Sequence, residues 1–175
     1  MKLPDKDNLI RIFIWLFFII GGAILSIHFD KIYFAEVFNN TRWHFISFIP
    51  GYFLLKAVLK ASRNTGRYLA AEGREGTIPR LQTNRLVTTG VYACMRHPMH
   101  LGLLFFPLAF AFLLGSPTFI LIVAPLEMLL MIVLIKLIEE PQAEKKFGDS
   151  YRQYKKEVPF FNFSADCIRQ LLHPE

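Results

Sequence analysis

Thr118 to Ile138, TFILIVAPLEMLLMIVLIKLI, is 21 residues long and carries only two charges, Glu127 and Lys136. At about 1.5 Å per residue, a helix of that length crosses the roughly 30 Å hydrocarbon layer of a bilayer. No other backbone arrangement of a single segment satisfies its own amides there, so this run predicts a spanning helix. The whole chain agrees, being 53% hydrophobic with 18 Phe in 175 residues, more apolar than a soluble core of this size requires.

Leu9 to Ile27 predicts a second span, with Arg11 near one end where its side chain can snorkel to the interface. Lys2, Lys6 and Arg11 before an apolar run also suit a signal peptide. The run is longer than a typical signal core, however, and no small-x-small cleavage pattern follows it. Phe45 to Leu59, which carries Pro50-Gly51, and Pro98 to Leu114, 17 residues before the turn Gly115-Ser116-Pro117, are shorter. Flanked by Arg42, Trp43 and Lys60, and set beside two full spans, they are read as crossing too. The expectation is an all-α integral membrane protein. It has four spans, about 9–28, 43–60, 98–114 and 118–138, a polar loop 61–97 and a C-terminal interfacial region 139–175.

Lysine and arginine favour the cytoplasmic side. Three lie before or at the start of the first span (Lys2, Lys6 and Arg11), two in the first loop, seven between Lys60 and Arg96 and six in the tail from Lys145. Four crossings therefore put both termini and the long loop in the cytoplasm. The net charge of +6 is then a surface facing anionic lipid, and no nucleic-acid partner is expected. Cys94 and Cys167 fall on the same side and are read as free thiols. Past the fourth span, Phe147, Tyr151, Tyr154 and Val158 recur at helical spacing among lysines and arginines, an amphipathic helix for the membrane surface that Pro159 ends.

The short turn makes spans three and four an antiparallel hairpin. With equal rise on both helices, residues whose numbers sum to about 232 lie at similar depth. Arg96 is then level with Lys136, His97 with Ile135 and Tyr92 with Glu140. The hairpin gathers Arg96, His97, His100, Lys136, Glu139 and Glu140 at one membrane face. Ionisable groups at that depth mark a functional site, or else Arg96 and Lys136 snorkel to phosphates and the glutamates balance them. Glu127, in mid-span beside Pro125, is either a protonated structural group or one bordering a substrate cavity. Pro98 starts a helix. His97 and His100, three apart, share a face, but a pair without a further ligand does not predict a metal site.

At these residues the chain resembles the superfamily of isoprenylcysteine carboxyl methyltransferases and phospholipid methyltransferases. The matching stretches are LVTTGVYACMRHPMHLG, Leu86 to Gly102, and IEEPQAEKKFGDSYRQYKKEVPFF, Ile138 to Phe161. With the hairpin between them they cover about the last 80 residues, and the wording looks more like the broad microbial branch. The resemblance implies S-adenosylmethionine-dependent methyl transfer at a membrane-embedded site open to the cytosol. Carried over by position, it implies a cofactor held by Arg85, Leu86, Val87, Tyr92, His97, Pro98, Met99, His100 and Glu139, with Glu140 as the neighbouring candidate.

Two departures bear on the substrate: the family pattern has tyrosine where this chain has His100, and the carboxyl-methylating enzymes have arginine where it has Ile135. Lys136 or Arg96 can replace that cation, and Lys136 and Glu127 are the candidate substrate contacts. No strand-Gly-x-Gly-helix unit of a soluble methyltransferase occurs. Methyl transfer from a sulfonium is an in-line displacement that needs alignment and desolvation. An amine or thiol acceptor also needs a base, for which Glu140 and His100 are candidates, with Arg96 beside them. The expected acceptor is lipid-like or small and apolar. The competing readings are an NADPH-dependent membrane reductase of the sterol-reductase type and a non-enzymatic scaffold or transport subunit with Glu127 on an ion path.

Overall fold

A computed structural model describes residues 6–78 and 82–173. Lys2 and Arg80, counted above, lie outside the described residues, as do the side chains of Lys6 and Arg11. Every regular element among the described residues is helical. Three helices are long and apolar enough to cross a membrane: Ile12–Tyr33, Thr41–Glu72 and Phe119–Phe147, with Pro98–Leu114 shorter. The chain is an all-α membrane protein. Its contacts divide it into two compact units.

One unit comprises Lys6–Val58 and Leu104–Ile132. Its large apolar side chains point outward, Phe17 at 73%, Phe45 at 72% and Leu121 at 65% exposure, an arrangement only lipid can cover. Small and polar residues lie inside, as expected where helices approach one another without a hydrophobic drive between them. Gly22 is one: a Cβ there would come within 2.8 Å of Val123 and 3.0 Å of Glu127 Oε1. Asp30, fully buried, accepts hydrogen bonds from Ser116 Oγ and from the Thr118 amide at 2.8 Å, capping the helix that begins there. Gly115 closes the preceding helix at φ +66°, and a side chain there would collide with the His44 ring. Trp43 Nε1 donates to the Gly115 carbonyl at 2.8 Å.

The span expected at 98–114 is interrupted, with helices Pro98–Leu104 and Phe106–Leu114 on either side of Phe105. Pro107 explains the break, since its ring excludes the carbonyl four residues back and it has no amide to donate. By contrast, Pro50 leaves the Thr41–Glu72 helix continuous.

The other unit comprises Leu59–Leu103 and the described residues from Val133 onward. Three expectations are corrected here. First, the polar loop does not begin at residue 61, because the helix runs on to Glu72. Ala61 and Thr65, both nearly inaccessible, form its inner face, and Gly102 lies against Ala61 and Ser62. The segment is polar because its other face is solvated, and polarity alone does not break a helix.

Second, Cys94 and Cys167 are not free thiols but form a disulfide, their Cα atoms 5.8 Å apart. It ties the last helix, Ala165–Leu172, to the short turn Val91–Cys94, and Asn64 Nδ2 donates to the Leu171 and Leu172 carbonyls at that helix's end. Third, the amphipathic stretch after the fourth span is not one surface helix. It breaks at Gly148, φ +59°, and Tyr151 and Tyr154 are buried within the unit. The Tyr154 hydroxyl donates to the Tyr92 carbonyl at 2.6 Å. The apolar face that periodicity assigned to lipid is a protein-packing face.

Candidate active site

The Phe119–Phe147 helix contains two π-helical segments, Phe119–Val123 and Ile135–Glu139. A π turn accommodates an extra residue, so equal rise along the two helices does not hold. Arg96 pairs with Glu140, while Lys136 stays nearby without pairing to it, the two cations lying 5.8 and 5.5 Å from the centre of the same Phe160 ring. Arg96 Nε and Nη2 donate to Glu140 Oε1 at 3.0 and 2.8 Å. Its Nη1 donates to the carbonyls of Lys155 at 3.1 Å and Val158 at 2.5 Å. Every nitrogen of the guanidinium has a partner. The backbone holds it in place, the Arg96 amide donating to the Pro159 carbonyl at 2.9 Å and the His97 amide to the Phe160 carbonyl at 3.4 Å.

Glu140 is almost fully buried and correspondingly well paired. Besides Arg96, its Oε1 lies 3.2 Å from His97 Nε2, and its Oε2 lies 3.0 Å from Lys155 Nζ, which also meets Glu144 at 2.9 Å. His97, one residue ahead of the Pro98–Leu104 helix, is pushed down to about 4 by burial and by His100, with Glu140 pulling the other way. The ring is neutral near pH 7 and donates its Nε2 proton to the carboxylate. It packs on Phe160 with centroids 4.7 Å apart.

Next to this buried group is a more open pair. His100 Nε2 and Glu139 Oε2 lie 2.9 Å apart, with side chains 19% and 31% exposed. Lys136 is exposed and sits over the Phe160 ring, 5.5 Å from its centre. Of the other expected cofactor residues, Val87, Tyr92 and Pro98 are buried, Leu86 and Met99 half-buried and Arg85 exposed. Burial alone raises the Tyr92 phenol well above its ordinary range. Glu127 belongs to the other unit, buried beside Gly22, and its Oε2 has no hydrogen-bond partner among the described residues.

A cavity of about 240 Å³ is lined by Asn64, Thr65, Tyr68, Gly90, Val91, Gln170 and Leu171. Tyr68 stacks on Tyr92 at 6.3 Å, donates to or accepts from Thr89 at 2.9 Å, and leaves room for no side chain at Gly90, φ +57°. Sequence reasoning missed Asn64, Thr65 and Tyr68 because they stand in the segment read as loop. The spacing of Ala61, Thr65 and Tyr68 was the helical signal that could have found them.

A family model described as phospholipid methyltransferase matches residues 43–150. Protein-S-isoprenylcysteine O-methyltransferase of Schizosaccharomyces pombe (strain 972 / ATCC 24843) is 40% identical over 80 residues. That similarity covers 42% of this chain and 31% of the yeast protein. No solved structure matches.

Proposed function

The chain belongs to the phospholipid methyltransferase family, and from that premise we propose that it transfers a methyl group from S-adenosylmethionine to a lipid-like or small apolar acceptor. The observation that carries the reading is the meeting of the two motifs, where the buried Arg96–Glu140 pair leaves the half-exposed His100–Glu139 pair beside it. When bound, the cofactor supplies a methyl group on a cationic sulfur, which departs as a neutral thioether.

Glu139 is the carboxylate positioned to accept charge-assisted hydrogen bonds from the cofactor's ammonium or ribose. Glu140 serves to hold Arg96 and His97 and is a positioning residue, as is Arg96, each of whose guanidinium nitrogens is engaged. Tyr92, Val87, Leu86, Arg85, Pro98 and Met99 form the remaining cofactor surface carried over from the family pattern. His100 is the base for an amine or thiol acceptor, while a carboxylate acceptor needs none and would be met by Lys136. Glu127 is assigned to packing against Gly22 and not to the acceptor.

The basic residues support a cytoplasmic site, whereas a disulfide in the same unit is characteristic of oxidising compartments. Thiol labelling of intact cells and of inverted vesicles, with and without prior reduction, decides the orientation. The activity is tested by incubating membranes with methyl-labelled S-adenosylmethionine and tracing label into lipid, protein or small molecules. Saturable S-adenosylhomocysteine binding by the detergent-solubilised chain is expected. Binding of NADPH in its place would replace this reading with the reductase.

A further inference from the structure

His97 and His100 alone are too few to hold a metal ion, and nothing in their spacing supplies a third ligand. The fold does: His97, His100 and Glu139 each present a ligand atom, and these atoms all lie within 4.8 Å of one another. We propose that these three side chains form a site for a divalent transition-metal ion, zinc fitting best.

Two imidazoles and one carboxylate with an open fourth position are a common zinc donor set. A tetrahedral zinc about 2.0–2.1 Å from each ligand places the ligand atoms roughly 3.3 Å apart. His100 and Glu139 already stand at 2.9 Å, so modest side-chain rotation completes the site. Nitrogen and oxygen donors together select zinc, cobalt or nickel over magnesium and calcium, which take oxygen alone.

The surroundings supply what an imidazole ligand needs behind it. His97 donates its Nε2 proton to Glu140, 3.2 Å away, leaving the ring's lone pair on Nδ1. Carboxylates in that position orient metal-bound histidines and raise their basicity. Arg96 and Lys155 in turn hold Glu140, and the Ile135–Glu139 π turn places Glu139 at the junction with the following helix. The site exists because His100 stands where the related enzymes' pattern has tyrosine. Since Glu139 is also the carboxylate assigned to the cofactor, ion and cofactor are competing occupants and zinc is an inhibitor, a step that rests on the preceding reading.

The test uses the detergent-solubilised full chain, freed of any purification tag and stripped with chelator. Cobalt titration is expected to saturate at one equivalent with the visible absorption of four- or five-coordinate cobalt, and zinc to displace it. His100→Tyr, which introduces the residue of the family pattern, and Glu139→Gln should each weaken cobalt binding by more than about tenfold, with a melting curve in detergent checking that each variant is folded. Absence of stoichiometric binding, or equal affinity in the wild type and both variants, overturns the site. S-adenosylhomocysteine binding measured in chelator tests the cofactor reading separately. If that binding occurs but is indifferent to zinc, the competition is wrong and the metal site stands on the cobalt result.

Discussion

Arg96 donates two hydrogen bonds to one oxygen of Glu140, 44 residues further along the chain, and both side chains are under a tenth exposed. Truncating one partner of such a pair strands a buried charge, which costs about 3–5 kcal/mol. Glu140→Ala and Arg96→Ala are each expected to lower thermal stability in detergent by several degrees. Arg96→Lys keeps the charge but loses the planar fork and should recover only part of it.

The two neighbouring glutamates should separate cleanly. Glu139→Gln is expected to weaken S-adenosylhomocysteine binding about tenfold or more, the scale of one charge-assisted hydrogen bond, with little change in melting temperature. Glu140→Gln should do the reverse, melting early. Calorimetric titration beside a melting curve reads both, and equal binding loss in the two variants would sink the division of roles.

His97 gives a pH dependence of known sign. Its pKa is about 4 in the folded chain, against an ordinary value of 6.5. Above pH 6.5 the ring is neutral in both states and its contribution to stability is complete. As pH falls from 6.5 to 4 the unfolded chain takes up the proton first, and roughly 3 kcal/mol is lost across that window. His97→Gln should flatten the stability profile between those values, as followed by denaturation at stepped pH.

The Cys94–Cys167 disulfide closes a separation of 73 residues. Peptide mapping without reduction should recover the two cysteines in one linked pair. Cys167→Ser, in turn, is expected to cost about 2–5 kcal/mol and to open the Ala165–Leu172 helix to protease.

Asp30 accepts from both Ser116 and the Thr118 amide in a fully buried position. Asp30→Ala leaves two donors unsatisfied and should destabilise by about 1–3 kcal/mol for each. Glu127→Gln, which keeps shape and hydrogen-bonding capacity beside Gly22, should be tolerated. Unfolding in detergent checks both.

Much of the fold was legible because hydrophobic periodicity is a local property. The run at Thr118–Ile138 declared a span, Pro98 declared a helix start, and the Arg-His-Pro and Glu-Glu-Pro stretches named the family by their order. Patterns of polarity misled in two places. Thr65 and Tyr68 sat in a polar segment that is helix, and Tyr151 and Tyr154 displayed an amphipathic face that meets protein, because periodicity reports that a face is buried and not what buries it.

What the sequence determined by itself was therefore composition along each helix: which segments suit lipid, and which residue types converge near the hairpin's open end. Only the tertiary structure decided how those residues pair. The π turn at Ile135–Glu139 runs directly into Glu140, and packing within this unit puts Glu140 on Arg96 and Glu139 on His100. It also brings Cys94 to Cys167. Such pairings depend on cumulative rise and rotation along two helices, where a single π turn shifts every later partner, and no window of local sequence carries that sum.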